Sequence, residues 1–176
     1  MPFERLHSEK VFSGRAFTIR RDTLRLPDGH QTRFDIVEHV GSVVLIPLDG
    51  HGNLLFVRQY RHAAGQELLE LPAGTLDDDE PPEDCARREI REETGMAAGK
   101  IELLGGFYLA PGYSTEYMHV YLATELVHAP LQADADEFLS VETIPLAQAF
   151  SMAEGGQIPD SKTLAALVLA RPRLTA

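Results

Sequence analysis

The segment Gly74–Met96, GTLDDDEPPEDCARREIREETGM, places nine carboxylates within 23 residues. Its second half has the composition of a helix, with two prolines at the start, strong helix formers throughout and Gly95 as the stop. On that helix Glu89, Glu92 and Glu93 share one face near the C-terminal end. Because mutual repulsion and the helix dipole both disfavour carboxylates there, the pattern indicates a bound cation. Oxygen ligands favour Mg²⁺ or Mn²⁺ over Zn²⁺.

The three glutamates alone leave an ordinary solvated helix open, but the whole segment follows a longer pattern. It reads Gly, five residues, Glu, seven residues, Arg-Glu, an aliphatic residue, any residue, Glu-Glu, any residue, Gly and an aliphatic residue. The chain therefore resembles the Nudix hydrolases, which cleave nucleoside diphosphates linked to another moiety. The fixed positions of this Nudix box are Gly74, Glu80, Arg88, Glu89, Ile90, Glu92, Glu93, Gly95 and Met96.

The resemblance implies roles for the box residues. Glu89 and Glu93 would bind the metal directly, Glu92 would help to bind metal or polarise water, and the backbone carbonyl of Ala73 would complete the site. Cations bridging a pyrophosphate withdraw charge from its oxygens and lower the pKa of a bound water. The expected reaction is therefore hydrolysis of a phosphoanhydride bond.

Four further box positions are expected to be structural. Glu80 and Arg88 would pair with each other and hold the loop against the helix. Gly74 would belong to the loop before the helix, and Gly95 would end the helix.

The stretch GGFYLAPGYSTEYMHVYLA resembles the ADP-ribose pyrophosphatase branch of the family, because Pro111 follows Gly95 by 16 residues. Pro-Gly favours a tight turn, after which Ser114, Thr115 and Glu116 can face a ligand. An ordinary loop between strands is the alternative.

The upstream stretches TRFDIVEHVGSVVLIPL and LLFVRQYRHAAGQELLELPAG resemble the same branch. Arg33 and Arg61 match positions that contact the ligand, and Arg15 matches an arginine that reaches across from a second subunit. The planar guanidinium suits phosphate and ribose oxygens. For each arginine taken alone, a surface salt bridge stays open as the alternative.

The acidic loop QADADEFLSV supplies the candidate base. In this branch a loop carboxylate approaches the metals, and Glu137 is the first choice, with Asp136 or Asp134 behind it. Ala135 between the aspartates departs from the more glutamate-rich loops of relatives, and a solvated acidic loop is the alternative.

The order of elements predicts a mixed fold. Strand patterns dominate the first half, a helix follows in the box, and two helices close the chain. This predicts an α/β or α+β protein. It agrees with the Nudix-type α/β/α sandwich on a central mixed β-sheet that the resemblance implies. Residues 1–39 are expected to form N-terminal antiparallel strands, and residues 40–176 the Nudix domain. The resemblance implies a homodimer that exchanges these strands and builds the pocket from both subunits.

Composition restricts the partners. The net charge of −11 argues against a nucleic-acid polymer, which binds through many lysine and arginine contacts. The lone Cys85 excludes intramolecular disulfides and is expected to be a small buried helix residue. No apolar run is long enough to cross a membrane, and the N-terminus lacks a signal-peptide core, so a cytoplasmic protein is expected.

The leading hypothesis is a Mg²⁺- or Mn²⁺-dependent pyrophosphatase that converts ADP-ribose to AMP and ribose 5-phosphate. A pyrophosphatase of another nucleoside diphosphate sugar, such as GDP-mannose, is the runner-up. A catalytically silent nucleotide-binding module is the alternative from another class, although no box carboxylate has been lost.

Overall fold

The computed structural model describes residues 2–15, 17–132 and 138–174, which contain ten strands and three helices. In chain order these are β1 (Glu4–Ser13), β2 (Thr18–Arg25), β3 (Gln31–Glu38), β4 (Ser42–Pro47), β5 (Asn53–Arg61), β6 (Gln66–Glu70), β7 (Ala73–Thr75), α1 (Pro82–Thr94), β8 (Met96–Tyr108), β9 (Tyr117–His128), β10 (Leu139–Pro145), α2 (Leu146–Glu154) and α3 (Ser161–Leu174). The described residues fall into two compact units. One holds the chain up to Gly41 with Tyr108–Tyr117, and the other holds Ser42–Phe107 and the chain from Met118 onward.

The first unit is built on an antiparallel sheet in the order β1-β2-β3. The segment Tyr108–Tyr117 joins it at the third strand, where the Val37 N–H donates to the Tyr113 carbonyl at 2.7 Å and the Thr115 N–H donates to the Val37 carbonyl at 3.0 Å. The antiparallel N-terminal sheet expected from the sequence is therefore confirmed.

The second unit contains a mixed sheet in the order β7-β4-β9-β8. Its central strand β4, SVVLIP, is buried at every position, as expected for a continuous run of branched apolar residues. It pairs in parallel with β9, from Ser42 opposite Met118 to Pro47 opposite Ala123, and antiparallel with β7. A second sheet, in the order β10-β5-β6, belongs to the same unit.

Helices cover both faces of β4, because successive side chains of a strand point to opposite sides. Val44 and Ile46 belong to a core that includes Ala166, Leu167 and Ala170 of α3. On the opposite face, the core comprises Val43, Leu45, Cys85, Ala86, Ile90, Tyr121 and Ala123. The expected α/β/α arrangement is confirmed within this unit.

Helix α1 begins and ends at the residues that its sequence indicates. Pro82 occupies the first turn, where the missing N–H costs nothing, and Glu83 and Asp84 lie near the positive end of the dipole. Gly95 follows the helix at φ 72°, and its N–H donates to the Arg91 carbonyl at 3.1 Å. This left-handed backbone conformation favours glycine, because glycine has no Cβ atom.

Helix α3 starts with a side-chain cap. The Asp160 carboxylate accepts hydrogen bonds from the Thr163 N–H at 3.0 Å and from the Thr163 hydroxyl at 2.6 Å. Asp160 is therefore the capping residue of α3. None of the described helices is long and apolar enough to cross a membrane.

Candidate active site

Two box glutamates lie on the buried face of α1. Glu89 and Glu93 are only 6% and 3% exposed, and they are one helical turn apart. They share this face with Cys85, Ala86 and Ile90. Because burying an ionised carboxylate is costly without a compensating partner, each of the two must be matched by donors or cations nearby.

Gly74 makes room for the first of them. A Cβ atom at position 74 would lie 1.9 Å from both Cδ and Oε1 of Glu89. The carboxylate therefore rests directly over the glycine backbone, at a distance that no side chain permits. This contact explains why the box requires glycine at its first position.

Strand β7 also receives the second buried carboxylate. The Ala73 N–H donates to Oε2 of Glu93 at 2.9 Å, and Ala73 is held in place by pairing with Val44 of β4. The fold thus brings the backbone of Ala73 and Gly74 together with the carboxylates of Glu89 and Glu93.

Arg88 links three carboxylates at this site. Its Nε and Nη2 donate to Glu80 at 3.0 and 2.8 Å, as the structural role of this pair requires. Its Nη1 donates to Glu89 at 2.6 Å and to Glu92 at 2.9 Å, contacts that the sequence pattern does not predict. The hydrogen bond to Glu80, followed by the charge of Glu89, raises the pKa of Arg88 above its usual range.

Glu80 is strongly acidic because of its contacts with Arg88. Its hydrogen bonds from Arg88, which outweigh partial burial, lower the pKa of Glu80 to about 2. The Asp77 N–H adds a further hydrogen bond at 3.1 Å. The carboxylate therefore stays ionised and holds the loop before α1 against the helix.

This pair predicts a pH-dependent stability. Because the pKa of Glu80 falls from 4.5 to about 2 on folding, the pair stabilises the fold above about pH 4.5, and this contribution is lost as the pH falls toward 2. We expect Glu80→Gln to lower the free energy of unfolding at pH 6 by roughly 1–2 kcal/mol, after allowance for solvent screening. Urea unfolding at pH 6 and pH 3 should show the difference shrinking at the lower pH.

The matched control is Glu83→Gln, which removes a carboxylate of the exposed pair with Arg87 on the same helix. A surface pair of this kind contributes little. Equal stability of Glu80→Gln and the parent protein at pH 6 would contradict the structural role of the Glu80–Arg88 pair.

The donor set at this site suits a hard divalent cation. Four carboxylates, from Glu80, Glu89, Glu92 and Glu93, share the site with the guanidinium of Arg88, so negative charge is in excess. Among the described residues, no three acidic, histidine or cysteine side chains stand in a metal-binding arrangement. Arg88 Nη1 contacts both Glu89 and Glu92. A cation at this place would take over the neutralisation that Nη1 supplies.

Arg61 is the predicted substrate-binding residue that belongs to the same unit as the box. It lies at the end of β5 and forms a bidentate pair with Glu70, a residue only 1% exposed. The hydrogen bond to Glu70 raises the pKa of Arg61, and the charge of Glu93 acts in the same direction. The sequence patterns predict neither the contact of Arg61 with Glu70 nor that of Glu70 with Lys162, because these contacts join separate segments of the chain.

The remaining predicted substrate residues belong to the first unit. Arg15 and Arg33 are exposed. Pro111 lies in a turn, since the N–H groups of Tyr113 and Ser114 both donate to the Ala110 carbonyl, at 3.1 and 2.9 Å.

Two predicted residues after the turn contact each other. The Ser114 hydroxyl accepts a hydrogen bond from the Glu116 N–H at 3.1 Å. Glu137, the predicted base, and its alternatives Asp134 and Asp136 lie outside the described residues.

Cys85 is buried in α1, as expected for a small helix residue. Burial, reinforced by the charge of Glu89, raises the pKa of its thiol. The thiol therefore stays protonated near neutral pH and acts as a packing group.

Comparison with known proteins decides the family. A family model for the NUDIX domain matches residues 38–167. The chain belongs to the Nudix family. Nudix relatives include the ADP-ribose pyrophosphatase of Bacillus subtilis strain 168, 35% identical over 90% of this chain and 87% of the relative. The ADP-ribose pyrophosphatase of Mycobacterium tuberculosis strain H37Rv is 39% identical over 94% of this chain and 82% of the relative.

Other Nudix proteins resemble the chain along most of its length. The GDP-mannose pyrophosphatase of Citrobacter koseri is 33% identical, over 90% of each chain. A crystal structure of an ADP compounds hydrolase superposes with a TM-score of 0.88, at 25% identity, over 99% of this chain and 95% of the other. Nudix ADP-ribose pyrophosphatases generally use divalent metals, and the oxygen donors on α1 fit that chemistry.

Proposed function

We propose that this Nudix protein hydrolyses the pyrophosphate bond of ADP-ribose, giving AMP and ribose 5-phosphate. The observation that carries the proposal is the position of Glu89 and Glu93, two buried carboxylates aimed at the Ala73–Gly74 backbone. The names of the relatives in Bacillus subtilis and Mycobacterium tuberculosis support ADP-ribose as the substrate.

Each group at the site has a task in this proposal. Glu89, Glu93 and the Ala73 carbonyl hold Mg²⁺ or Mn²⁺, and Glu92, whose side chain is 20% exposed, binds metal or orients water. When bound, the cation neutralises the pyrophosphate and makes a water more acidic. Arg61 offers its guanidinium to the phosphate oxygens.

The remaining predicted residues complete the proposal. Glu137 of the acidic loop acts as the base, and Arg15, Arg33, Pro111, Ser114 and Glu116 form the substrate-binding set. The cytoplasmic location expected from the sequence stays a prediction.

Product analysis tests the proposal directly. Purified protein is incubated with ADP-ribose and Mg²⁺, and in parallel with Mn²⁺, and the products are separated by ion-exchange chromatography. We expect AMP and ribose 5-phosphate in equal amounts, and none after chelation of the metal. If no divalent metal supports hydrolysis of ADP-ribose, the proposal is wrong.

GDP-mannose is the second candidate substrate, because the relative in Citrobacter koseri is a GDP-mannose pyrophosphatase that matches most of this chain. Specificity is the ratio of kcat/KM values. We expect the ratio to favour ADP-ribose, and a ratio that favours GDP-mannose would reassign the substrate while leaving the chemistry in place.

We also propose that the protein is a homodimer formed through its N-terminal strands. All ten residues of β1 are exposed, and several large apolar side chains on and beside this strand are exposed among the polar ones, which indicates an interaction site. The exposed large apolar side chains on and beside this strand are Phe3, Leu6, Val11, Phe12 and Phe17.

Light scattering after size exclusion should give twice the chain mass of 19.5 kDa. A charge at an apolar contact opposes association, so we expect Phe12→Glu to shift the protein toward the monomer. The exposed Lys100→Gln, on β8, changes the net charge by the same single unit and serves as the control. A monomeric parent protein would remove Arg15 from the proposed site.

A further inference from the structure

A buried ion pair joins the first turn of α3 to the end of β6. Glu70 and Lys162 are 1% and 8% exposed, and the Lys162 ammonium donates to Oε2 of Glu70. The same ammonium lies 3.1 Å from Oδ1 of Asp160. Because a buried lysine is rarely retained without paired charges, this arrangement calls for an explanation.

The backbone beside this pair leads to the metal site. The Leu71 N–H donates to the Thr163 hydroxyl at 2.8 Å, and that hydroxyl donates to Asp160 at 2.6 Å. Two residues further along, the Ala73 N–H holds Glu93. The first turn of α3 therefore fixes the segment from which the Nudix site is built.

Glu70 also orients Arg61. Its two carboxylate oxygens accept from Nε at 3.0 and 3.2 Å and from Nη2 at 2.6 Å. The Nη1 amino group takes no part in this pair, and the Arg61 side chain is 40% exposed. A guanidinium held along one edge presents its other edge to an anion in a fixed direction.

Lys162 changes the charge balance at Glu70. Burial acts to raise the pKa of Glu70, but the hydrogen bond from Arg61 and the charge of Lys162 outweigh it and hold the pKa below its ordinary value. Two cations, Arg61 and Lys162, and two carboxylates, Glu70 and Asp160, therefore neutralise one another in this cluster. Lys162 keeps Glu70 ionised and in place, so that the carboxylate holds the Nε and Nη2 edge of Arg61.

We propose that Lys162 is a positioning residue that acts through Glu70 to hold Arg61 with its Nη1 edge open to the phosphate groups of the substrate. The inference rests on the proposed function for the identity of that anion. It assigns a role to a residue outside the Nudix box and 92 positions from its partner.

Steady-state kinetics with ADP-ribose provide the first test. We expect Lys162→Met to raise KM about tenfold and to change kcat by less than about threefold, because a substrate-binding hydrogen bond to a charged group is weakened. Lys162→Arg restores the cation and should recover most of the loss. The exposed Lys100→Met is the matched control, and a KM for Lys162→Met equal to that of the control would overturn the proposal.

A double-mutant cycle shows whether Lys162 acts through Arg61. Once Arg61→Ala has removed the guanidinium, Lys162→Met has nothing left to position. We therefore expect the double variant to have the KM of Arg61→Ala alone. If the fold-changes in KM of the two single variants multiply in the double variant, Lys162 and Arg61 act independently and the proposal is overturned.

A second variant separates positioning from folding. Lys162→Met leaves the buried charge of Glu70 with one partner fewer, and the variant could fail to fold for that reason. The double variant Glu70→Gln/Lys162→Met avoids this cost, because it removes both charges together. This variant leaves Arg61 without its carboxylate, so we expect the same tenfold rise in KM. A KM equal to that of the parent protein would contradict the proposal.

A spectroscopic measurement is independent of the substrate. The Arg61 Nε–H signal in a nitrogen–proton correlation spectrum, assigned by its loss in Arg61→Lys, reports the bidentate pair. We expect this signal to shift in Lys162→Met and to stay unchanged in Lys100→Met. Absence of ADP-ribose hydrolysis by the parent protein refutes the proposed function, whereas an unchanged Arg61 signal in Lys162→Met refutes the positioning role.

Discussion

Replacing Glu93 by glutamine is expected to lower kcat for ADP-ribose roughly 10³-fold, because the change removes several kcal/mol of metal-dependent stabilisation. Glu93 is 3% exposed and is held toward the site by the Ala73 N–H at 2.9 Å. The glutamine side-chain oxygen can still accept that hydrogen bond, so the fold should survive. The effect is measured by initial rates at saturating substrate, together with Mn²⁺ affinity, which should fall.

The control is Glu83→Gln on the same helix, whose side chain is 56% exposed and pairs with Arg87. It removes the same charge from α1 without touching the buried face, so its rate should stay near that of the parent protein. Parent-like hydrolysis by Glu93→Gln would remove Glu93 from the metal ligands, whichever substrate is used.

Replacing Gly74 by alanine should cause the second large loss, with kcat/KM lowered about 10²-fold. The new Cβ would lie 1.9 Å from the Glu89 carboxylate, whereas ordinary contact begins at about 3.4 Å. The obstructing atoms are the end of a flexible side chain, so we expect Glu89 to swing away and the fold to persist. A misplaced ligand of this kind impairs catalysis more than stability.

Gly50→Ala is the control for adding a methyl group, because nothing lies within 4 Å of the Cβ it would create. The double variant Gly74→Ala/Glu89→Asp shortens the displaced side chain and should recover part of the activity. Parent-like kcat/KM for Gly74→Ala, with unchanged Mn²⁺ affinity, would show that Glu89 need not rest over position 74.

Local sequence signals predict much of the second unit. Strand β4 is a continuous branched apolar run, and its burial at every position follows from that composition. Helix α1 has its prolines at the start and Gly95 at the left-handed end. The spacing of Glu89, Glu92 and Glu93 then places three carboxylates on one helix, and the complete Nudix box around them indicates the chemistry.

Other features depend on contacts between distant residues and were not predictable. Glu70 and Lys162 are 92 positions apart, and each looks like an ordinary surface charge in its own segment. The contacts of Arg88 with Glu89 and Glu92 depend on side-chain rotamers that a box pattern does not specify. The sequence of β1, ERLHSEKVFS, has no regular alternation of polar and apolar residues that would define its extent, and the strand is exposed at every position.

The hydrogen bond between Leu71 and Thr163 has a consequence for the order in which the enzyme becomes active during synthesis. The Nudix box is complete once residue 96 has been translated, yet the turn that steadies β6 and β7 comes from residues 160–163. Chains fold progressively from the N-terminus as they emerge from the ribosome. A nascent chain that ends before Asp160 therefore carries every predicted metal ligand but lacks the hydrogen bond that holds Leu71, and we expect full activity only after α3 has been made.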